Sequence, residues 1–175
     1  MPCQGGYRGG IEEGKRWARE EREHRRTDQF RRLWVSLVER VHGSPNGFDT
    51  LSEPEKLYFA VGLLELDVYN GGFHQYFFNN AGSKYVYAEK GLVALGATGT
   101  LGLLQKAKEA LFPGGAIPVE TDARRRALPR VEADSDGRTP KWSEELDDLD
   151  NRYWADSETL TRRLQRFARD HGLVS

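Results

Sequence analysis

The sequence predicts an all-α fold, built as a single compact domain of about six to eight helices. Apolar residues recur at three- and four-residue steps along most of the chain, and no run of any length alternates polar and apolar residues as a β-strand would. Capping and turn residues separate the periodic segments. With 175 residues, of which 38% are hydrophobic and 30% charged, the chain is long enough to bury one sizeable core.

Overall charge, cysteine content and hydropathy together predict a cytoplasmic protein. The formal net charge of −1 predicts neither indiscriminate binding to nucleic acid nor strong repulsion from it. Cys3 is the only cysteine, so no intrachain disulfide can form and a reducing compartment is expected. The sequence has no window of 18 apolar residues and no signal-peptide core at its N-terminus, so we expect no membrane association.

Residues 1–27 differ in composition from the rest of the chain. They contain five glycines and the charged run KRWAREEREHRR, with seven basic and five acidic residues in the whole segment. Ile11 and Trp17 are its only large aliphatic or indole side chains, which are too few to form a core face. We therefore expect a charged, glycine-rich N-terminal tail over 1–27 and an all-α domain over 28–175.

The first two helices of the domain have clear periodicity and capping signals. The first begins near Asp28, and its apolar stripe consists of Phe30, Leu33, Trp34, Leu37, Val38 and Val41. The turn-forming sequence HGSPNG ends this helix. In the second helix, Ser52 and Glu55 have the spacing of a capping box, and Pro54 occupies the first turn. The residues that follow are apolar on most faces, which predicts a central helix.

Two further helices are predicted at 83–96 and 99–112, followed by a long loop at about 113–141. The loop contains four prolines and the basic triplet Arg124–Arg126, and it has room for at most a short helix. KWSEELDDLDNRYWA and SETLTRRLQRFARDHG then predict two terminal helices, with Ser143 as the cap of the first. Their inward faces are expected to contain Trp142, Leu146, Leu149 and Tyr153, and Leu160, Leu164, Phe167 and Ala168.

The stretch VYNGGFHQYFFNNAG, residues 68–82, is the most unusual part of the sequence. Its Gly71–Gly72 pair permits a sharp reversal between two helices, including positive φ, at no side-chain cost. Asn70 tolerates a left-handed conformation. Three aromatic residues share one face of the following helix: Phe73, Tyr76 and Phe77. A structural role as a packed helix corner accounts for all of these residues.

Asp67, one turn before the glycines, has two interpretations. A carboxylate there opposes the dipole of its own helix, so we expect it to accept the free N–H groups of residues 72–74. In the enzymatic alternative, Asp67 and His74 form an acid–base pair beside Gln75. No Ser or Cys nucleophile lies nearby, the four histidines lack metal-ligand spacing, and GATGTLG lacks the lysine of a phosphate-binding loop. We therefore expect no catalysis, no metal and no cofactor.

The run LSEPEKLYFAVGLLELDVYNGGFHQYFFNNAG resembles the signature of the DNA mimic protein nineteen-like family. The family pattern has an acidic residue, an apolar residue, Asn-Gly-Gly-Phe, a Gln, two aromatics, an Asn and a Gly. The matching positions here are Asp67, Val68, Asn70, Gly71, Gly72, Phe73, Gln75, Tyr76, Phe77, Asn79 and Gly82. GLVALGATGTLGLLQKAKEALFPGG and LDDLDNRYWADSETLTRRLQRFARDHG also look similar to the family, so the resemblance covers roughly residues 30 to 172.

The resemblance implies that the motif residues determine the fold and do not themselves bind a partner protein. It implies an α-helical, non-enzymatic, dimeric protein that imitates the charge of DNA and binds a transcription regulator in place of DNA. We therefore expect a homodimeric protein-interaction module that regulates a DNA-binding protein and does not bind nucleic acid directly. Two alternatives stay open: an immunity-type interaction protein that covers a toxin or nuclease, and a small enzyme that uses Asp67 and His74.

Surface carboxylates on the helix around residues 144–158 are the candidates for the partner-binding face. Five of them fall within seven residues: Glu144, Glu145, Asp147, Asp148 and Asp150. Their spacing is about one charge per 2 Å of helix axis, against about 1.7 Å for duplex DNA. Asp156 and Glu158 extend the face and Arg152 interrupts it. The alternative is an ordinary solvated face whose acids favour the positive end of the helix dipole.

The charge of the whole domain limits how far such imitation can extend. Outside the tail, the domain contains 22 acidic and 19 basic residues, a formal charge of −3. The Arg124–Arg126 triplet and the arginines of the last helix also work against an acidic surface. Imitation of a duplex is therefore expected from one helix face at most.

Overall fold

The computed structural model describes residues 28–129 and 140–175. Seven α-helices lie in these ranges: α1 Gln29–His42, α2 Glu53–Phe78, α3 Tyr85–Ala94, α4 Thr98–Leu111, α5 Thr121–Ala127, α6 Lys141–Trp154 and α7 Ser157–Asp170. Two 3-10 turns, Gly47–Thr50 and Asn80–Lys84, join α1 to α2 and α2 to α3. The described ranges contain no β-strand, which confirms the all-α prediction. None of their helices combines the length and the apolar character needed to cross a membrane.

Helix α2 is the centre of the domain, as its apolar sequence predicted. It packs against each of the other six helices. Its own residues supply much of the core, since Ala60, Val61, Leu64 and Val68 are fully buried in its first part. Most of the predicted inward residues of the two terminal helices are also buried: Leu146, Leu149 and Tyr153 on α6, and Leu160, Leu164, Phe167 and Ala168 on α7. Trp142 at the start of α6 is only half-buried.

Local capping signals fix the starts of the first two helices. The Asp28 carboxylate accepts the N–H of Phe30 at 2.9 Å and so caps α1. Ser52 donates its N–H to the Glu55 carboxylate at 2.7 Å, and the reciprocal contact of the Ser52 side chain is also present, which confirms the predicted capping box at α2. The prediction of Ser143 as a cap is wrong, because α6 begins at Lys141 and Ser143 lies in its first turn, donating its N–H to the Pro140 carbonyl.

The predicted loop at about 113–141 contains one short helix, α5, within its described part. The rest of the described loop, residues 113–120, 128–129 and 140, contains no helix or strand, and α6 begins at its last residue, Lys141. Part of the predicted loop, residues 130–139, lies outside the described residues, as does the predicted tail over 1–27.

Candidate functional site

The Gly71–Gly72 pair forms a kink inside α2. Gly71 has φ −168° and Gly72 has φ 78° with ψ −179°. The expected positive φ is therefore confirmed at Gly72, whereas the conformation of Gly71 is one that any residue can adopt. The predicted break between two helical segments is also confirmed, because both glycines have non-helical backbone angles and the two segments of α2 meet at this kink.

Asp150 of α6 caps the helical segment that begins after the kink. Its Oδ1 accepts the N–H of Phe73 at 2.8 Å, in a buried contact. A Cβ atom on Gly72 would lie 2.0 Å from Asp150 Oδ2, so the carboxylate occupies the space that a side chain would need. Burial raises the pKa of the Asp150 carboxyl, although the hydrogen bond from Phe73 partly opposes this.

Two predictions about carboxylates are wrong as a result. Asp67 does not cap residues 72–74: its Oδ1 accepts Nδ2 of Asn79 at 2.9 Å, and burial raises the pKa of its carboxyl group. Asp150 does not belong to the outward acidic surface, because it is only 9% exposed and points into the kink. The cap predicted from Asp67 therefore comes from Asp150, on a distant helix.

A second residue of α6 contacts the other side of the kink. Trp154 donates its indole N–H to the carbonyl of Val68 at 3.1 Å. The carbonyls before the break and the N–H groups after it are those that a kink leaves without intrahelical partners. One contact therefore comes from α6 to each side of the break, with the two anchoring residues one helical turn apart.

The aromatic residues of the corner form the core beneath the kink, as predicted. Phe73, Tyr76 and Phe77 are fully buried, and the Phe73 ring meets the Tyr153 ring edge-on with centroids 5.8 Å apart. The hydroxyl groups of Tyr76 and Tyr153 are buried and have no hydrogen-bond partner within the described ranges. These residues face protein on all sides, so they are unavailable to a ligand.

Arg124 supplies the polar contacts at the end of α2. Its side chain is fully buried, and it donates to four carbonyls and one hydroxyl: Phe77 O (2.7 Å), Asn79 O (2.6 Å), Pro118 O (3.0 Å), Val119 O (2.9 Å) and Thr121 Oγ1 (3.3 Å). A Cβ atom on Gly82 would lie 2.7 Å from Arg124 Nε, so the last glycine of the motif admits this guanidinium. The expectation that the whole basic triplet is a charged loop segment is therefore wrong for Arg124.

The remaining motif positions surround the kink without forming an open site. Gln75 lies over Gly71, since a Cβ atom there would meet Gln75 Oε1 at 2.2 Å. Asn79 is half-buried and Asn70 is exposed. All the motif residues with described contacts thus bond or pack within the corner, which is the role that the family resemblance implied for them.

The structure does not bring Asp67 and His74 together as an acid–base pair. His74 is half-buried, with its ring stacked against Trp142 at 6.0 Å and Phe78 at 6.2 Å between centroids. Burial lowers the pKa of His74, and no carboxylate contributes to that shift. Within the described residues, no group of three His, Cys, Asp or Glu side chains is placed to hold a metal ion.

Four of the predicted surface carboxylates form an exposed face on α6. They are Glu144, Glu145, Asp147 and Asp148, and we call them the α6 acidic face. Glu145 pairs with Lys141 and Asp148 with Arg152, each with N–O separations of 3.7 Å. Asp156, at the end of α6, is also exposed, whereas the side chain of Glu158 lies outside the described part of the structure.

Comparison with known proteins gives one match. No curated protein and no solved structure matches the chain. The family model described as DMP19-like protein matches residues 49–171, a span that begins in the first 3-10 turn and includes the kink, Arg124, α6 and α7. Because this span covers more than half of the sequence, the chain belongs to the DMP19-like protein family.

Proposed function

We propose that this protein is a non-enzymatic interaction module that uses the α6 acidic face to bind a basic surface of a DNA-binding protein. Membership of the DMP19-like protein family supports an interaction role of the DNA-mimic type. The observation that carries the proposal is the anchoring of α6, which holds four carboxylates on one outward face. The binding of this face regulates transcription by competing with DNA for the partner.

The anchoring of α6 makes the face a preorganised ligand. Leu146 and Leu149 are buried on the opposite side of the helix, and the contacts of Asp150 and Trp154 with α2 fix its position along the kink. A rigid array loses little conformational entropy on binding. The carboxylates therefore meet the partner in a fixed spacing, as the phosphates of a duplex do.

The charge density of the face is sufficient for a local contact. Its four carboxylates fall within five positions, which is about 6 Å of helix axis at about 1.5 Å per residue. Duplex DNA carries one charge per about 1.7 Å. The ion pairs with Lys141 and Arg152 are exposed, and such pairs contribute only about 0–1 kcal/mol, so basic groups of a partner exchange with them readily.

The proposal assigns the module to the cytoplasm, where a transcription regulator would be met, and it expects a homodimer, as the family resemblance implies. A protein that covers a nuclease, or a toxin that acts on nucleic acid, would use the same kind of face, because such proteins also present basic surfaces to nucleic acid. The identity of the partner separates these two cases.

The test is capture of partners from the native host with the full chain as bait. A variant with Glu144, Asp147 and Asp148 changed to Lys should lose the partner, because three reversals turn an attractive surface into a repulsive one. Asp150 is left unchanged, since it is buried at the kink. Capture by the wild-type chain should also weaken as salt is raised.

A matched control carries the same change in charge elsewhere. Glu39, Glu53 and Asp170 are exposed on other helices, and their joint change to Lys should leave capture intact. Circular dichroism and melting curves establish that both variants are folded. Capture that survives reversal of the α6 acidic face would exclude the proposal.

A further inference from the structure

A cavity of about 600 Å³ lies between α1, α2 and α7, away from the α6 acidic face. Its lining combines carboxylates, aromatic rings and one arginine, among them Arg31, Trp34, Tyr58, Glu65, Tyr69 and Thr161. This volume falls in the range of about 300–1,000 Å³ that small-molecule sites occupy, so it has room for a guanidinium group and its stem. The kink motif contributes nothing to this lining.

Glu65 provides a half-buried carboxylate without a cationic partner. Its one hydrogen bond in the described part of the chain comes from the hydroxyl of Thr161, and no basic side chain there forms an ion pair with it. Burial raises the pKa of the Glu65 carboxyl, and the hydroxyl opposes this only in part. A carboxylate that loses water and gains no cation is destabilised, so a bound cation would stabilise it.

Tyr58 places a second polar group in the cavity. Its side chain is only 5% exposed, and its hydroxyl has no hydrogen bond to the described residues. Burial, followed by the charges of Glu65 and Asp28, raises the pKa of Tyr58 to about 12. The electrostatic potential at this hydroxyl is therefore negative, which favours a bound cation. The Tyr58 oxygen can accept a hydrogen bond from it.

The walls of the cavity suit a flat cation. Trp34 packs against Gly62, where a Cβ atom would lie 2.5 Å from the indole ring, and its ring stacks on Phe59 at 5.1 Å. Tyr69, which is 65% exposed, supplies an aromatic surface at the opening. At the edge of the same cavity the chain already makes such a contact, since the Arg169 guanidinium lies 4.8 Å from the centroid of the Phe30 ring.

We propose that this cavity binds the guanidinium group of an arginine side chain on a basic segment of a partner protein. Glu65 accepts its N–H groups, the Tyr58 oxygen accepts another, and Trp34 and Tyr69 cover its faces. Arginine is favoured over lysine because a planar, weakly hydrated cation both stacks on aromatic rings and donates several hydrogen bonds in one plane. Arg31 also lines the cavity, and its positive charge opposes a bound cation, so the carboxylate of Glu65 is needed to stabilise one.

The inference rests on the proposed function only in the choice of a basic protein as partner, because it uses none of the α6 carboxylates. The test is a chemical-shift titration of the full chain with a blocked Gly-Gly-Arg-Gly-Gly peptide. Amide signals of Tyr58, Glu65 and Thr161 should shift. The same peptide with citrulline, which has the shape of arginine without its charge, should bind at least about tenfold more weakly.

Variants of the chain locate the binding. Glu65→Gln keeps the shape of the side chain and should weaken arginine-peptide binding about tenfold, and Tyr58→Phe should weaken it to a smaller extent. Glu89→Gln is the matched control, since Glu89 is also half-buried but is bonded by Tyr85 and Gln105 outside the cavity. The variant with Lys at 144, 147 and 148 should bind the peptide as the wild type does.

Four results would overturn the inference. Equal binding of the arginine and citrulline peptides would show that the carboxylate recognises no cation. Wild-type affinity in both Glu65→Gln and Tyr58→Phe would place the peptide elsewhere. Binding that develops only after Arg25 and Arg26 are changed to Gln would show that arginines of the same chain occupy the cavity. Loss of peptide binding in the α6 variant alone would instead assign binding to the α6 acidic face.

Discussion

Asp150 and Phe73 are 77 residues apart in the sequence, and the carboxylate of the first accepts the backbone N–H of the second at 2.8 Å. This hydrogen bond connects the helix that presents the acidic face to the kink that defines the family motif. The motif therefore determines where the acidic face lies, although none of the motif residues belongs to that face.

Replacement of Asp150 by Ala should lower the free energy of unfolding by about 1–3 kcal/mol, because it leaves the buried N–H of Phe73 without a partner. Asp147→Ala, one turn earlier on the exposed side of α6, should change it by less than about 0.5 kcal/mol. Chemical denaturation measures both. Equal stability of the Asp150→Ala variant and the wild type would show that the bond contributes nothing.

The two glycines of the kink should respond differently to substitution. Gly72→Ala should cost at least about 2 kcal/mol, because it strains a positive φ and places a methyl group against the Asp150 carboxylate. Gly71→Ala should lower the free energy of unfolding by less than about 1 kcal/mol. The φ of Gly71 is one that alanine can adopt, and the flexible end of the Gln75 side chain can move aside. Melting curves that rank the two variants in the opposite order would contradict this account of the kink.

Loss of the Arg124 guanidinium should be among the most destabilising changes in the domain. Arg124→Met keeps the length of the side chain but leaves four backbone carbonyls without their donor, and each unsatisfied buried group costs about 1–3 kcal/mol. Arg126→Met, at an exposed position of the same triplet, serves as the control and should be close to neutral. Similar denaturation midpoints for the two variants would rule out this role of Arg124.

His74 should make stability depend on pH, with a loss of stability as the pH falls below about 6.5. Burial lowers its pKa in the folded state, while the unfolded value is about 6.5. The unfolded chain therefore binds a proton more readily, so the contribution of His74 is complete above about pH 6.5 and is lost as the pH falls toward the folded pKa. The free energy of unfolding of the wild type, relative to that of His74→Phe, should decrease as the pH falls below about 6.5. Parallel pH profiles of the two proteins would contradict the assignment.

Much of the fold follows from local sequence patterns. The stripe from Phe30 to Val41, the caps at Asp28 and Ser52, and the inward residues of α6 and α7 depend on neighbours within a few positions of the same helix. The positive φ at Gly72 follows from its pairing with Gly71 in a turn-like context. These features are set by short-range sterics and hydrogen bonds, which a sequence displays directly.

Long-range contacts account for the errors. Asp67 and Asp150 both have the chemistry of a cap, and only the packing of α6 against α2 decides between them. Arg124 stands in a triplet that has the composition of a solvated segment, yet it is buried against carbonyls 45 and 47 residues away. The cavity beside Glu65 is lined by residues of three helices, so no local sequence pattern displays it. One signal was present for Arg124: the motif ends at Gly82, and a glycine at a fixed position indicates close packing, which here comes from the Arg124 guanidinium and the backbone of Tyr76 and Phe77.

The most direct measurement of the proposed function is competition between this protein and DNA. A fluorescent duplex bound to the captured partner is titrated with the full chain, and the polarisation of the label reports the bound fraction. The wild-type chain should release the duplex, and the variant with Lys at positions 144, 147 and 148 should not. A duplex that stays bound while the wild-type chain joins the same complex would contradict imitation of DNA by the α6 acidic face.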